Sequence, residues 1–599
     1  MKKFILAATI VALSLLKTSA HEPAVLTASP KYEMRAVWLT TLNGLDWPKT
    51  LANGSASSVE RQKKELTAIL DQLKAAGINV VLLQTRVRST TIYPSDLEPW
   101  DGCLSGTAGR NPGYDPLQFA IDECHKRGMQ LHAWVVTIPI GKWSSTGCTK
   151  LRKRYPSLVR KIGDEGYLDP EKPQTSTYLA DVCEEIVKKY DVDGIHLDYI
   201  RYPETWKIKV SRQQGRRHIT GIAEAISRRV KQLKPWVMMS CSPIGKHDDL
   251  RRYSSRGWNA RSTVCQDAQE WLRTGVMDAL FPMMYFRDNN FYPFAIDWQE
   301  QSHGKIVAPG LATYMLHRSE GNWPLTTVTQ EMNVLRQLGL GHTHFRSRFL
   351  TDNTKGIYAF EREFNTSPAL VPPMTWMNAT RPDAPTEFKS LPAPSSKGEG
   401  AFGPNRGTRS EVTISWKAPK NLPSLSGEGS GVRLLYNVYA SPVCPVDISD
   451  PRNLIATRLT KPYITFSNPL HSPSIPLHSP SIPLYFAITA LDRYGNESEP
   501  LQSHQPPTIN HQPSIVNPQS STLPLLACDG KTLTLPEKPE ILDANTLAIE
   551  TLQGSLIATR PWRGQSVDVS RLPEGFYQLR SLGRKGVTHR LGFFKVKRR

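Results

Sequence analysis

Between Arg35 and about Phe364 the chain alternates short apolar runs with longer amphipathic ones. The runs Arg35–Leu42, Asn79–Thr85, Gln130–Val136 and Gly194–Asp198 are nearly continuous in Val, Leu, Ile, Ala and Trp, which predicts strands buried on both faces. Val237–Ser242, Ala279–Tyr285, Lys305–Ala312 and Gly341–Phe345 are further candidate strands. Apolar positions at helical spacing predict helices over Val59–Ala76, Asp115–Arg127, Thr175–Tyr190 and Ile219–Leu233, with Gly77 and Gly128 where helix C-caps are wanted. Eight strand and helix units in this length predict a (β/α)8 TIM barrel over residues 31–375. An open doubly wound sheet is the alternative, and the absence of Gly-x-Gly-x-x-Gly after the first strand weakens its dinucleotide-binding form.

After Pro368 the period changes. Pro372-Pro373 and Arg381-Pro-Asp-Ala-Pro385 mark an exit from the barrel, and Glu411–Trp416, Leu434–Ala440 and Tyr485–Ala490 alternate with period two, which predicts a β-sandwich over 380–502. The start after Pro385, the Trp416 strand and the ending Asp492–Glu499 resemble a fibronectin type III domain, which implies a spacer or binding module. Within it His471–Leu477 is repeated as His478–Leu484; its prolines do not suit a central strand, so the pair is expected to be a loop insertion. A Pro, Gln and Ser-rich linker is expected over 503–524 and a small all-β domain over 525–599. There, Leu572-Pro-Glu-Gly-Phe-Tyr577 followed by Gly592–Arg599 resembles the C-terminal sorting domain of the type IX secretion pathway, which would make outer-membrane secretion machinery a partner; the alternative is a small Ig-like β domain that stays with the enzyme.

At the other end, Lys2 and Lys3 precede an apolar run from Phe4 to Leu16 and the small residues Thr18-Ser19-Ala20, so residues 1–20 read as a secretory signal. The run falls short of the ~20 residues that span a bilayer. The expected location is the periplasm, the cell surface or the medium. The chain has 599 residues and a net charge of +20, and losing Lys2, Lys3 and Lys17 with the signal leaves +17. Such charge suits anionic envelope polymers; no helix-turn-helix, zinc finger or RNP-like motif supports nucleic-acid binding. The eight cysteines lack zinc-site spacing and are read as buried free thiols, with a Cys103–Cys148 bridge left open.

In a (β/α)8 barrel the reacting groups come from the C-terminal strand ends. That rule selects Asp198, which ends the fourth strand in Asp193-Gly-Ile-His-Leu-Asp-Tyr-Ile-Arg-Tyr-Pro203, with Tyr199, Arg201 and Tyr202 beside it. Other strand ends contribute Asp46, Trp47, Gln84, Arg86, Arg88, Trp134, Asp169, Ser242, Asp267, Tyr285 and Arg346. Aromatics among carboxylates and amides suit a sugar, whose ring faces stack and whose hydroxyls need polar partners. Trp38, His132 and His196 are read as core, and no cofactor or metal is expected. Glycosidic hydrolysis needs two carboxyl groups; Asp198 is one, and Glu204 or Asp267 is the candidate for the other.

Arg35–Pro48, Tyr93–Trp100, Asn111–Leu117, His125–Met129, Leu168-Asp-Pro170, Asp193–Pro203, Ser242-Pro243 and Gly356-Ile-Tyr358 together resemble the glycosyl hydrolase-like 10 family. The resemblance implies a TIM barrel and a polysaccharide substrate, first of all peptidoglycan glycan strands that have lost their stem peptides. Asp198 matches the first acid of the family's Asp-Asp-Tyr motif, whereas Tyr199 stands where the second acid is usual, and Gln84-Thr-Arg-Val-Arg88 replaces a Gln-Val-Arg/Lys-Pro pattern. The expected function is an exported glycoside hydrolase; the alternative is a non-catalytic glycan-binding protein on the same scaffold.

Overall fold

A computed structural model describes residues 29–392, 411–419, 434–467 and 484–503, and beyond them 527–528, 531–534, 544–551, 556–561, 566–573, 575–583 and 588–596. The signal over 1–20, the duplicated heptads up to residue 483 and the linker from residue 504 lie outside the described residues.

The predicted barrel strands all form. They are β1 (Arg35–Leu39), β2 (Val80–Arg86), β3 (Gln130–Val136), β4 (Gly194–Asp198), β5 (Met238–Cys241), β6 (Ala279–Leu280), β7 in two pieces (Ile306–Val307 and Gly310–Leu311) and β8 (His342–His344). Every ladder between them is parallel. The first piece of β7 pairs with β6 and the second with β8. Backbone bonds continue across the interruption, with Gly310 donating to the Pro282 carbonyl (2.7 Å) and Thr343 to that of Pro309 (3.0 Å), so the sheet closes on itself. Pro309 has no N–H and removes one ladder bond there, which is why the strand is split.

Eight principal helices surround the ring: α1 (Ala56–Ala75), α2 (Pro116–Lys126), α3 (Pro173–Lys189), α4 (Arg212–Leu233), α5 (Ala268–Thr274), α6 (Tyr292–Glu300), α7 (Leu325–Gln337) and α8 (Ile357–Phe364). The first helix starts where Ser55 accepts from the Ser58 amide, and α2 where Asp115 accepts from the amides of Leu117 and Gln118 behind Pro116. The interior is aromatic. Trp38 donates its indole N–H to His196 Nε2 (3.1 Å) and packs edge-on against Phe281 and Phe345, while His196 Nδ1 lies 3.1 Å from Ser240 Oγ. Burial pushes the His132 imidazole down to about 4 and holds His196 well below the usual histidine range, so both stay neutral in the core.

Between β3 and α3 the chain leaves the ring to form a three-stranded antiparallel sheet (Pro139–Lys142, Val159–Ile162, Glu165–Leu168) and the helix Thr146–Arg154. No simple period marks this excursion in the sequence.

The sandwich has a three-stranded sheet of β9 (Thr386–Pro392), β10 (Glu411–Lys417) and β13 (Tyr463–Ser467) and a four-stranded one ordered β12 (Leu454–Leu459), β11 (Leu435–Ser441), β14 (Tyr485–Leu491), β15 (Leu501–Gln502). Among the described residues, those of the barrel and nearly all of those of the sandwich through Ser503 fall in one compact unit, so barrel and sandwich are packed together. The contact lies at the N-terminal strand ends, the base of the barrel. Arg458 binds Asp193 just before β4, Arg493 binds Asp191, and Lys31 reaches Glu497 at 2.6 Å. Gly128 serves this contact twice: its φ of 68° turns the chain after α2, and a Cβ there would lie 2.3 Å from the Thr457 carbonyl oxygen. The segment after Pro372 is held too, since Met374 donates to the Tyr494 carbonyl (2.8 Å) and Trp376 to Asp278 (2.9 Å).

The C-terminal unit has its own core of Leu533, Leu547, Ile549, Val567, Val569 and Leu579 between a three-stranded and a four-stranded antiparallel sheet. In its Leu-Pro-x-Gly-x-Tyr turn, Tyr577 donates its hydroxyl to the Pro573 carbonyl (2.8 Å). Among the described residues no helix is long and apolar enough to cross a membrane, and all eight cysteines are free thiols.

Candidate functional site

Asp198 closes β4 and points into the barrel mouth from a buried position. One carboxylate oxygen accepts from Ser242 Oγ (2.9 Å), at the end of β5, and from the Tyr199 amide (2.8 Å). The other accepts from the Trp134 indole (3.2 Å) on β3. The Tyr199 bond exists because that residue adopts a left-handed φ of 54°, which folds its N–H back onto the preceding side chain. All three donors are neutral. Burial pushes the Asp198 carboxyl above the usual range, and the Ser242 bond and the charge of Arg201 only partly offset it. A buried, polarised carboxyl at a barrel strand end is suited to proton transfer or nucleophilic attack.

Tyr285 follows β6, two strands on from β4 in the sheet. Its hydroxyl is buried without a hydrogen-bond partner among the described residues, and burial together with the Asp198 charge drives its ionisation well above the ordinary tyrosine range. The ring is held between Tyr314 and Phe345 (centroids 5.6 and 5.3 Å). An unpartnered buried hydroxyl is costly, and in a site facing a ligand it is ready to be satisfied by one.

Arg201 is buried, stacks its guanidinium on the Tyr199 ring (4.4 Å) and binds Glu204 (2.7 Å). Glu204 is half-exposed; burial raises its carboxyl but the Arg201 ion pair outweighs that and holds it below the usual range. Through Arg201 the structure brings Glu204 to the Asp198 sector. Asp267 is elsewhere: it precedes α5 among Arg216 of α4, Arg261 and His247 at 3.5 to 3.6 Å, and these neighbours outweigh burial and hold its carboxyl below the usual range. No hydrogen bond or ion pair among the described residues links it to Asp198.

Several expected sugar contacts are engaged within the protein. Trp47 is fully buried and donates to the Gln62 carbonyl (2.9 Å), so it offers no face to a ligand. Tyr202 is fully buried, with its hydroxyl near His218 Nδ1 (3.3 Å). Gln84 accepts from the amides of Thr41 and Leu42 and so pins the loop after β1. Arg86 makes a two-pronged ion pair with Glu98, which also accepts from Tyr178 (2.6 Å), and donates to the carbonyls of Val136 and Thr137 at the end of β3. Asp46 and Arg346 pair with each other across β1 and β8; burial raises the Asp46 carboxyl and Arg346 opposes it. Asp169 accepts from Arg160 (2.9 Å) and the Glu171 amide, shaping the turn before α3.

One cluster was not expected. His342 and His344 on β8 and Glu361 on α8 are buried, with one ligand atom from each within 4.8 Å of the others, a set able to hold a metal ion. Each imidazole Nε2 lies at 3.0 to 3.1 Å from a Glu361 oxygen, and the two histidines overcome burial to hold that carboxyl far below its usual range. The His-x-His of 342–344 is its signal in the sequence; the helix carboxylate is not adjacent in the chain.

Residues 33–316 match the family model described as Glycosyl hydrolase-like 10. The glycosyl hydrolase YngK of Bacillus subtilis (strain 168) is 28% identical over 406 residues, 61% of this chain and 78% of that protein. The glycosyl hydrolase DigH of Escherichia coli (strain K12) is 28% identical over 303 residues, 45% of this chain and 69% of that protein. Among solved structures, the PgaB (BpsB) glycoside hydrolase domain from Bordetella bronchiseptica is similar at 14% identity and a TM-score of 0.38, over 55% of this chain and 98% of that one. By the family match the barrel is of the glycoside hydrolase type.

Proposed function

We propose that the protein is an exported hydrolase of a cell-wall polysaccharide, acting first of all on peptidoglycan glycan strands stripped of their peptides, with Asp198 as its essential carboxyl. The observation that carries this reading is the buried Asp198 carboxyl, raised above its usual range and cradled by neutral donors, with the unpartnered Tyr285 hydroxyl within reach of its charge. In this reading Glu204 is the second carboxyl: it sits on the same loop, is solvent-accessible and stays ionised on Arg201, so one raised and one lowered carboxyl supply acid and base roles. Trp134 and Ser242 orient Asp198, and Tyr285 donates to a sugar oxygen.

The leader at residues 1–20 and the +17 charge that remains after it support an envelope location. The three-plus-four strand distribution of the sandwich supports reading it as fibronectin type III-like, seated on the base and away from the mouth. The sorting-domain reading of the last unit rests on its Leu-Pro-x-Gly-x-Tyr turn.

The test is incubation with amidase-treated glycan strands and mass spectrometry of the products. New saccharide fragments from the wild type and none from Asp198→Asn support the reading. Equal cleavage by both removes Asp198 from the mechanism, and tight retention on strands with no new reducing ends in either favours a non-catalytic glycan binder.

A further inference from the structure

We propose that a groove beside the mouth is a subsite for a carboxylate-bearing sugar of the glycan, with Lys150 and Arg154 as its anion clamp and Trp100 as its stacking surface. The inference rests on the reading above and specifies how a denuded strand, whose muramyl residues each carry a lactyl carboxylate, is told apart from a neutral chain of N-acetylglucosamine.

The groove has a volume of about 410 Å³, in the range of sites that take small ligands. One wall is the loop after β2, with Ser89, Asp96, Glu98 and Trp100; the other is the helix Thr146–Arg154. Its charge balance is informative. Both lining carboxylates are already neutralised, Glu98 by Arg86 in the interior and Asp96 by Lys189 at 2.9 Å. Lys150 and Arg154 are exposed, and among the described residues neither has an ion-pair partner; Arg154 only overlies the Tyr155 ring at 5.2 Å. Arg152 on the same helix shows the contrast, being bound to the Trp143 carbonyl and stacked 4.4 Å above its ring. The groove therefore presents two uncompensated positive charges beside a half-buried indole, a surface for an anionic ring with an apolar face.

Its position suits the reaction. The groove belongs to the β2 and β3 sector, next to β4 in the sheet. Arg86 binds Glu98 of the wall and the Thr137 carbonyl, and Thr137 donates both its amide (2.9 Å) and its hydroxyl (2.7 Å) to the Asp198 carbonyl. Wall and catalytic strand end thus form one bonded piece.

The experiment is calorimetric binding of two ligands to the full chain carrying Asp198→Asn, which prevents turnover: denuded glycan oligosaccharides, and the same strands with the muramyl carboxyl reduced to an alcohol. The carboxylated strand is expected to bind about tenfold tighter at low salt. That gap should close in the Lys150→Gln/Arg154→Gln double variant, and in about 0.5 M NaCl. Trp100→Ala should weaken both ligands equally. Equal affinity for the two strands, a gap that survives the double variant, or binding of neither strand overturns the proposal. Cleavage of denuded strands by the wild type reports separately on the hydrolase reading: cleavage without a gap removes only the subsite, and a gap without cleavage removes only the hydrolase.

Discussion

Asp193 immediately precedes the five-residue strand β4 and Asp198 ends it, and their surroundings have opposite effects on them. Asp193, at the base, is buried but meets Arg458 and His125, which overcome burial and hold its carboxyl far below the usual range. Asp198, at the mouth, is hydrogen-bonded only by neutral donors, the charge of Arg201 offsets burial only in part, and burial wins. The base uses charge as glue, with Glu33 gripped by Arg35 and Arg336 and Glu497 by Lys31 in the same manner. The mouth leaves a carboxyl that can take or give a proton. At this strand the two aspartates differ in whether a guanidinium binds the carboxylate directly.

The sharpest way to break this comparison is to exchange each acid for its amide. Asp198→Asn should reduce kcat/KM on glycan strands by about a thousandfold or more, measured by product release. Asp193→Asn should leave kcat of the folded enzyme unchanged but cost about 3–5 kcal/mol of stability, because the Arg458 guanidinium loses its buried carboxylate partner; denaturant melts check this.

The pH dependence has opposite signs at the two ends. Asp193 has a lowered carboxyl, so the stability it supplies is present above the unfolded value near pH 3.9 and is lost as pH falls toward its folded one. Asp198 has a raised carboxyl, so its contribution is most favourable below about pH 3.9 and is lost as pH rises through its folded value. Asp198→Asn should therefore raise Tm slightly at neutral pH, with the gain vanishing in acid, while Asp193→Asn lowers Tm at neutral pH and loses that effect in acid. A Tm series from pH 3 to 8 distinguishes the two.

A smaller effect is expected from Ser242→Ala. Removing a donor to Asp198 raises its carboxyl further, so whichever limb of the pH–rate profile it sets should move to higher pH, with roughly a tenfold loss in rate. The smallest belongs to the base. Glu497→Gln removes the charge that binds Lys31 while leaving acceptors for Thr489 and Asn437, and should cost about 1–2 kcal/mol, seen as faster proteolysis of residues 434–503 with activity intact.

The barrel was legible in the sequence because its strands are buried on both faces and so appear as apolar runs whatever they pack against. Asp198 was legible for the same reason, as a charge that ends such a run. Partners were less legible. Trp47, Gln84, Arg86 and Tyr202 share the strand-end position of Asp198, yet each is tied to another part of the protein, Arg86 to Glu98 on a loop and Tyr202 to His218 on α4. Position along a strand says where a side chain begins, and only the fold says what it meets. The same holds for the 139–168 sheet and for the base, where Asp193 and Arg458 are far apart in sequence and their pairing has no local pattern.

Arg86 carries a kinetic consequence. A single guanidinium fastens the loop after β2, the end of β3 and, through Thr137, the backbone of Asp198. On the proposed reading, a glycan meets a path whose shape is set before it arrives. Turnover should then be insensitive to solvent viscosity, unlike that of enzymes paced by a closing lid.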